Sequence, residues 1–421
     1  MDVPLQSDAM TGSTLSPFRT LQNPNFRRLW IGAVTSAAGA AVGSIILTWL
    51  VYNATHSPLA ISALGIVQFL PTLAFGLVAG ALIDRLDRRR LMLTCDVARA
   101  VCFGGLAVYV LLYGVSTVAL IGVVFVVATF STVFRPATNA AMPRIVPASD
   151  LSDANGLLQG ATTIAQFVGS PIGSLFVVTV GAAVGFAFNA LTFAVSGTMI
   201  FLMVIPTGAS SARIDQPRRR SLLGDVSDGL RFLRSQRALL IITLTAMVAN
   251  FFLTIWGGFT VIYAAEHLHQ GATGFAILVA ANTAGFAIGA ILPGRVHTSV
   301  RPGIWLLPTW GLVGFFVVGL AWTSSLFVAT VLSVIAGALL SFGNTTWLSG
   351  VQREVPDEYL GRYFATDEAG SFAMIPAGLA VGGVLVLTLG ISWTYVIAGI
   401  GTLASNVPLF LSTTVRSWGR K

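Results

Sequence analysis

The chain has 421 residues, of which 55% are hydrophobic and 10% charged, with 24 Lys and Arg against 16 Asp and Glu. A mean hydropathy of +0.82 is far from the composition of a soluble domain, in which roughly 25% of residues are charged, and it excludes a soluble enzyme. The net charge of +8 does not point to nucleic acid, because the positive residues are spread along the chain and form no single basic face.

Apolar runs of about 20 residues, the length that crosses hydrocarbon as a helix, recur almost without interruption. They predict twelve spans, at 29–52, 59–83, 91–113, 116–137, 156–179, 183–206, 239–263, 272–293, 302–322, 326–348, 364–388 and 392–412. The tail 1–28 is polar at its start and has no short apolar core followed by a small-residue cleavage site, so no removable leader is expected.

Span 1 ends on Trp49 and Tyr52, and span 2 carries Gln68 and runs into "LIDRLDRRRL" (82–91). That stretch packs two carboxylates and four arginines between two oily helices. Span 3 holds Cys95 and Cys102 seven residues apart on one helix face, which reads as two small apolar side chains and not as a metal site or disulfide. It also holds Asp96 and Arg99 at the i,i+3 spacing of a local ion pair. Span 5 carries Gln166 and "GSPIGS" (169–174), and span 11 carries "IPAGLAVGG" (375–383). Pro beside Gly lets a helix bend and approach its neighbour, so Pro171, Gly173, Pro376 and Gly378 are the expected hinges.

The longest polar stretch, 207–238, lies midway and divides the chain into an N-terminal bundle (29–206) and a C-terminal bundle (239–412). Ser221 can cap a helix there with Leu222, Val226, Leu230 and Leu233 on one stripe, which predicts an interfacial helix. Beyond it, span 7 offers Asn250 and Trp256, span 8 Asn282, and span 10 Asn344 and Trp347; Asp367 and Glu368 sit just inside span 11. The loop with Glu266, His267 and His269 reads as a solvated connection.

Arg27 and Arg28, Arg85 to Arg90, Arg144, the arginines of 207–238, Arg295, Arg301, Arg353, Arg362 and the C-terminal tail 413–421 all fall on one side of the twelve spans. The opposite loops, including 53–58, 180–182, 264–271, 323–325 and 389–391, carry no Lys or Arg. By the positive-inside rule both termini are cytoplasmic. The expected fold is thus an all-α polytopic membrane protein with twelve transmembrane helices in two six-helix, pseudo-symmetric bundles.

"GALIDRLDRRR" (80–90) resembles the cytoplasmic loop motif of the major facilitator superfamily, matching it at Gly80, Leu82, Asp84, Arg85, Arg88, Arg89 and Arg90. Asp87 stands where the superfamily usually has Gly. "NPNFRRLW" (23–30), "WLVYNATHSPLAISALG" (49–65), "FRPATNAAMPRIVPASDLSDANGL" (134–157) and "VPDEYLGRYFA" (355–365) resemble the branch that includes the enterobactin exporter and macrolide efflux proteins. The resemblance implies a gating latch in which Asp84, with Gly80, Arg85, Arg88 and Arg89 around it, meets Arg135 and the start of span 11. A carboxylate is favoured both beside a guanidinium and at a helix N-terminus.

A secondary transporter is therefore expected: an exporter of a drug-like or siderophore-like small molecule, driven by the proton motive force. A lysophospholipid flippase or an importer of the same fold is the alternative, and a polytopic enzyme or receptor the different class. Asp96, Asp367 and Glu368 are the candidate proton carriers. Trp49, Tyr52, Gln68, Gln166, Asn250, Trp256, Asn282, Asn344 and Trp347 are candidates for a mostly neutral cavity with aromatic walls, or for interhelical contacts. The expected partners are the small-molecule substrate and the lipid bilayer, with no nucleic acid. No cofactor or metal is expected, the proton being the coupling ion. The protein is expected to work as a monomer in the bacterial inner membrane.

Overall fold

The computed structural model describes residues 17–147, 150–204, 230–295 and 302–419, and every regular element among them is helical. Asn23 caps α1 (Pro24–Thr55), its side chain accepting from the backbone N–H groups of Asn25 and Phe26, with Pro24 in the first turn where its missing N–H costs nothing. There follow α2 (Pro58–Arg85), α3 (Arg88–Tyr113), α4 (Thr117–Ile145), α5 (Leu151–Thr179) and α6 (Ala182–Leu202). Most of the predicted interfacial helix lies outside the described residues, of which 230–235 are helical.

The chain continues as α7 (Arg237–His267), which ends in a π-helical turn at Tyr263–His267, and α8 (Gly271–Arg295). Next come α9 (Pro302–Trp322), with a π-helical turn at Leu307–Gly311 that contains Pro308, α10 (Leu326–Glu354) and α11 (Asp357–Ser405). Short helices at Val407–Leu411 and Thr413–Arg416 close the described chain.

Eleven helices among the described residues are long and apolar enough to cross a membrane. The last, Ala373–Leu411, has 39 residues, well beyond the roughly 20 a bilayer requires. It is broken at Gly390, whose φ of 79° and ψ of 168° are not helical and suit glycine. The break falls in the loop 389–391 expected from sequence. Several other helices outrun their apolar runs, α4 reaching Ile145 through Arg135 and Pro136, because a helix can continue past the hydrocarbon while hydropathy falls.

Helix α5 packs on α1 and α11 on α7, each pair in intimate contact. A Cβ at Gly173 would lie 2.8 Å from the Val42 carbonyl oxygen, and one at Gly378 would lie 2.6 Å from that of Phe251. The Pro–Gly segments read as hinges are thus also close helix crossings of the small-residue kind. Between the N-terminal and C-terminal sets of helices, α2 meets α11 and α5 meets α8.

The apolar core is distributed unevenly. On the side away from the termini one continuous cluster joins both sets of helices, from Leu50 and Tyr52 to Phe259, Leu268 and Leu379. On the side of the termini the core is split, with Phe26, Met92, Met142 and Met203 in one cluster and Leu239, Trp310, Tyr363 and Trp418 in another.

Candidate functional site

Where the core is split there is space. A cavity of about 480 Å³ is lined by α1, α3, α4 and α5, with Gln68 of α2 and Phe193 of α6 completing the wall. Arg135, Asn139, Gln159 and Gln166 are solvent-exposed on that wall. A second cavity of about 310 Å³ lies among α7, α9, α10 and α11, where Asn250, Trp310, Asn344, Trp347, Asp367 and Ser371 gather. Trp310 donates its indole N–H to Asn344 Oδ1 at 3.1 Å, Trp347 donates to the Tyr363 hydroxyl at 3.3 Å, and Asn250 donates to Ser371 Oγ at 3.2 Å.

Five of the residues predicted from sequence to line a cavity are therefore on these two walls. Trp256 and Asn282 line a third space, of about 390 Å³, between the two sets of helices. Phe167 also lines it, its ring centroid 4.7 Å from that of Phe286. Trp49 and Tyr52 belong to the closed end instead. Trp49 stacks on Phe275 of α8, and the Tyr52 hydroxyl donates to Glu266 Oε1 at 3.2 Å. Ser62 Oγ donates to the Leu379 carbonyl at 2.7 Å, tying α2 to α11.

His267 is no solvated loop residue: its Nδ1 and Nε2 reach Ser392 Oγ at 2.9 Å and the Thr323 carbonyl at 3.0 Å, and its ring stacks on Tyr263. Burial of a polar ring at a junction of loops needs such partners. The loop expectation missed them because they come from residues distant in sequence.

Asp96 is fully buried, paired with Arg99 one turn on, and accepts a hydrogen bond from Ser196 Oγ at 2.7 Å. The Arg99 guanidinium sits between the Phe134 and Phe193 rings, 4.1 and 4.6 Å from their centroids, and lines the larger cavity. Two charges thus enter the apolar bundle as a near-neutral unit, with a cation–π sandwich in place of water. The i,i+3 spacing locates the pair in the sequence; Ser196, Phe134 and Phe193 carry no signal there.

Of the latch residues, the surroundings of Gly80 and the side chains of Asp84 and Arg85 lie outside the described part, as does the side chain of Glu368. Arg135 is exposed at the larger cavity, and Arg88 is partly buried at the start of α3. Arg89 binds the carbonyls of Ile200 and Phe201, and Arg28 donates to that of Leu202 at 2.7 Å. Both arginines thus serve the C-terminal end of α6, where a helix favours positive charge. Asp87 accepts from the Arg90 backbone N–H at 2.8 Å and caps α3, which accounts for a carboxylate at that position.

A multi-pass helical bundle whose two sets of helices meet at one end and part around cavities at the other has the architecture of a major facilitator transporter. The chain belongs to the transmembrane secretion effector family of that superfamily, whose model matches residues 12–420. Macrolide efflux protein A of Streptococcus pyogenes is 22% identical over 378 residues, covering 89% of this chain and 92% of the relative. The multidrug efflux pump Tap of Mycobacterium tuberculosis is 26% identical over 375 residues, covering 86% of each. The crystal structure of the nucleoside transporter NupG shares the fold, with a TM-score of 0.67 at 14% identity over 91% of this chain and 98% of that one. The protein is a membrane transporter and not an enzyme.

Proposed function

We propose that the chain is an exporter driven by the proton motive force, moving an amphipathic, drug-like or siderophore-like molecule out of a bacterial cytoplasm by alternating access. Dividing the last long helix at Gly390 gives twelve spans. In this reading they form two six-helix halves with both termini cytoplasmic, in the inner membrane, acting as a monomer without a cofactor.

The observation that carries the reading is the asymmetry of the core. The halves share one cluster on the far side and have separate clusters around open space on the terminal side. A rocking transporter open to the cytoplasm has this arrangement. The relatives' names support export, and the amide, hydroxyl and aromatic walls support an amphipathic cargo. Asp367 is a buried carboxyl group on the second of these walls, and Asp96 is buried behind the first, paired with the Arg99 that lines it; these two are our candidates among the described residues for proton exchange. One charge moved through 100 mV supplies about 2.3 kcal/mol.

The test is accumulation of fluorescent amphipathic compounds in everted vesicles energised by a pH gradient. Uptake that collapses on adding an uncoupler is expected; uptake indifferent to the gradient rejects the coupling.

A further inference from the structure

The third cavity, between the two sets of helices, has a wall unlike the other two. Among the described residues no Asp, Glu, Lys, Arg or His lines it, whereas Arg99 and Arg135 line the first and Asp367 the second. The wall is uncharged but not apolar. Some of its hydroxyls are used by the fold: Tyr263 donates to the Leu320 carbonyl at 2.8 Å, Tyr395 to that of Trp256 at 3.1 Å, and Ser170 to that of Gln166 at 3.1 Å. Others have no partner in the protein among the described residues. These are the indole N–H of Trp256, the hydroxyls of Ser44, Thr283 and Ser333, and both polar atoms of the Asn282 amide.

Polar groups enclosed in a helical bundle are normally paired, because leaving a hydrogen bond unmade there is costly. An indole N–H can only donate, so what Trp256 lacks is an acceptor. Phe167 and Phe275 add flat apolar faces to the same wall. A charged group would enter without a counter-ion, and a plain hydrocarbon would leave the polar groups unmet. A neutral carbonyl oxygen on an apolar frame meets both conditions. The volume of about 390 Å³ lies within the range of small-molecule sites, and Ser44 also lines the larger cavity, so the two spaces adjoin.

We propose that this cavity is a recognition site for an uncharged, carbonyl-bearing portion of the cargo, with the Trp256 N–H as the orienting donor. The hydroxyls of Ser44, Thr283 and Ser333 supply further hydrogen bonds, and Phe167 and Phe275 hold the apolar frame. The inference rests on the exporter reading for the cargo's route but on the cavity alone for its chemistry.

The test uses purified full-length protein in detergent and three probes of related shape: the neutral ketone benzophenone, diphenylmethane, which lacks the carbonyl, and 4-benzoylbenzoate, which adds a carboxylate. Binding is followed by calorimetry and corrected for partition into protein-free micelles. Wild type is expected to bind benzophenone about tenfold more tightly than either of the others. Trp256→Phe should lower benzophenone affinity by about 3- to 10-fold and change that of diphenylmethane by less than about twofold. Combining it with Ser44→Ala, Thr283→Val and Ser333→Ala should abolish the preference for the ketone. On irradiation benzophenone inserts into nearby C–H bonds, and the label should map to α1, α5, α7 or α8 at this cavity.

Equal wild-type affinity for benzophenone and diphenylmethane overturns the proposal, since water alone then serves these donors; that result needs no variant to fold. So does a ketone preference that survives the combined variant, tighter binding of the carboxylate, or a label confined to the other two cavities. Transport separates the two readings. Ketone-selective binding without gradient-driven uptake leaves the site standing and removes the exporter. Uncoupler-sensitive uptake that ignores the carbonyl does the reverse.

Discussion

Tyr52 and Glu266, 214 residues apart in sequence, meet at the closed end of the molecule, the hydroxyl donating to the carboxylate Oε1 at 3.2 Å. The bond joins the last turn of α1 to the π-helical end of α7, beside the Trp49–Phe275 stack. Both contacts run between the two sets of helices on the side where the core is continuous, and under the proposed alternating access they exist only while that side is shut.

Tyr52→Phe therefore shifts the protein away from this conformation. A hydrogen bond to a charged group contributes about 1.5–3 kcal/mol when both partners are protected and less at an exposed end, and Glu266 is exposed. The expected shift is a few-fold. It is read as faster labelling of Thr48→Cys by an impermeant maleimide added outside intact cells, in a background lacking Cys95 and Cys102. Unchanged labelling would show that the bond is incidental to closure.

The buried pair gives a second prediction. Arg99→Ala leaves the buried Asp96 carboxyl group with only Ser196 as a partner, and removing one member of a buried ion pair costs about 3–5 kcal/mol. The double variant Asp96→Ala, Arg99→Ala should be less destabilised than Arg99→Ala alone in thermal unfolding of purified protein. Arg99→Lys should not rescue, because a lysine cannot fill the Phe134–Phe193 sandwich as a planar guanidinium does. Simple additivity of the single effects would mean that the two charges are not coupled.

Close crossings predict a third effect. Gly173→Ala and Gly378→Ala each place a methyl group against a backbone carbonyl of the neighbouring helix, and overpacking of this kind costs about 1–3 kcal/mol. Gly122→Ala on α4, where a Cβ meets nothing within 4 Å, is the matched control and should leave the melting temperature the same or slightly raised. If all three variants melt together, the crossings tolerate more separation than the geometry indicates.

Sequence carries the frame of this fold because a bilayer imposes a length on every crossing. The long apolar helices among the described residues and the break at Gly390 follow from hydropathy and glycine alone. Local pairs are legible too: Asp96 and Arg99 are one turn apart wherever the helix goes. What sequence hides is the rotation of each helix. In a membrane the lipid-facing and protein-facing sides are both apolar, so the periodicity that marks a buried face in a soluble helix fades. That is why Gln68 and Gln166 line a cavity while Trp49 and Tyr52, from the same class of candidate, turn out to seal the closed end. It is also why the partners Ser196, Ser62 and His267 go unread.

The last prediction sets the two ends of the molecule against each other. Asp84 lies at the end of α2, and Arg135 on α4 is exposed at the larger cavity. By the resemblance, the pair closes the cytoplasmic side only when the halves rock the other way. Loss of the carboxylate in Asp84→Asn then destabilises that opposite state, whereas Tyr52→Phe destabilises the present one. The two substitutions should move Thr48→Cys labelling from outside in opposite directions, slower for Asp84→Asn and faster for Tyr52→Phe. Their combination should return it toward the wild-type rate, since effects at well-separated sites add. Asp84→Asn should also insert normally yet transport poorly, because a carrier held in one state cannot cycle. Labelling that moves the same way in both variants would mean that Asp84 serves a local turn and not the gate.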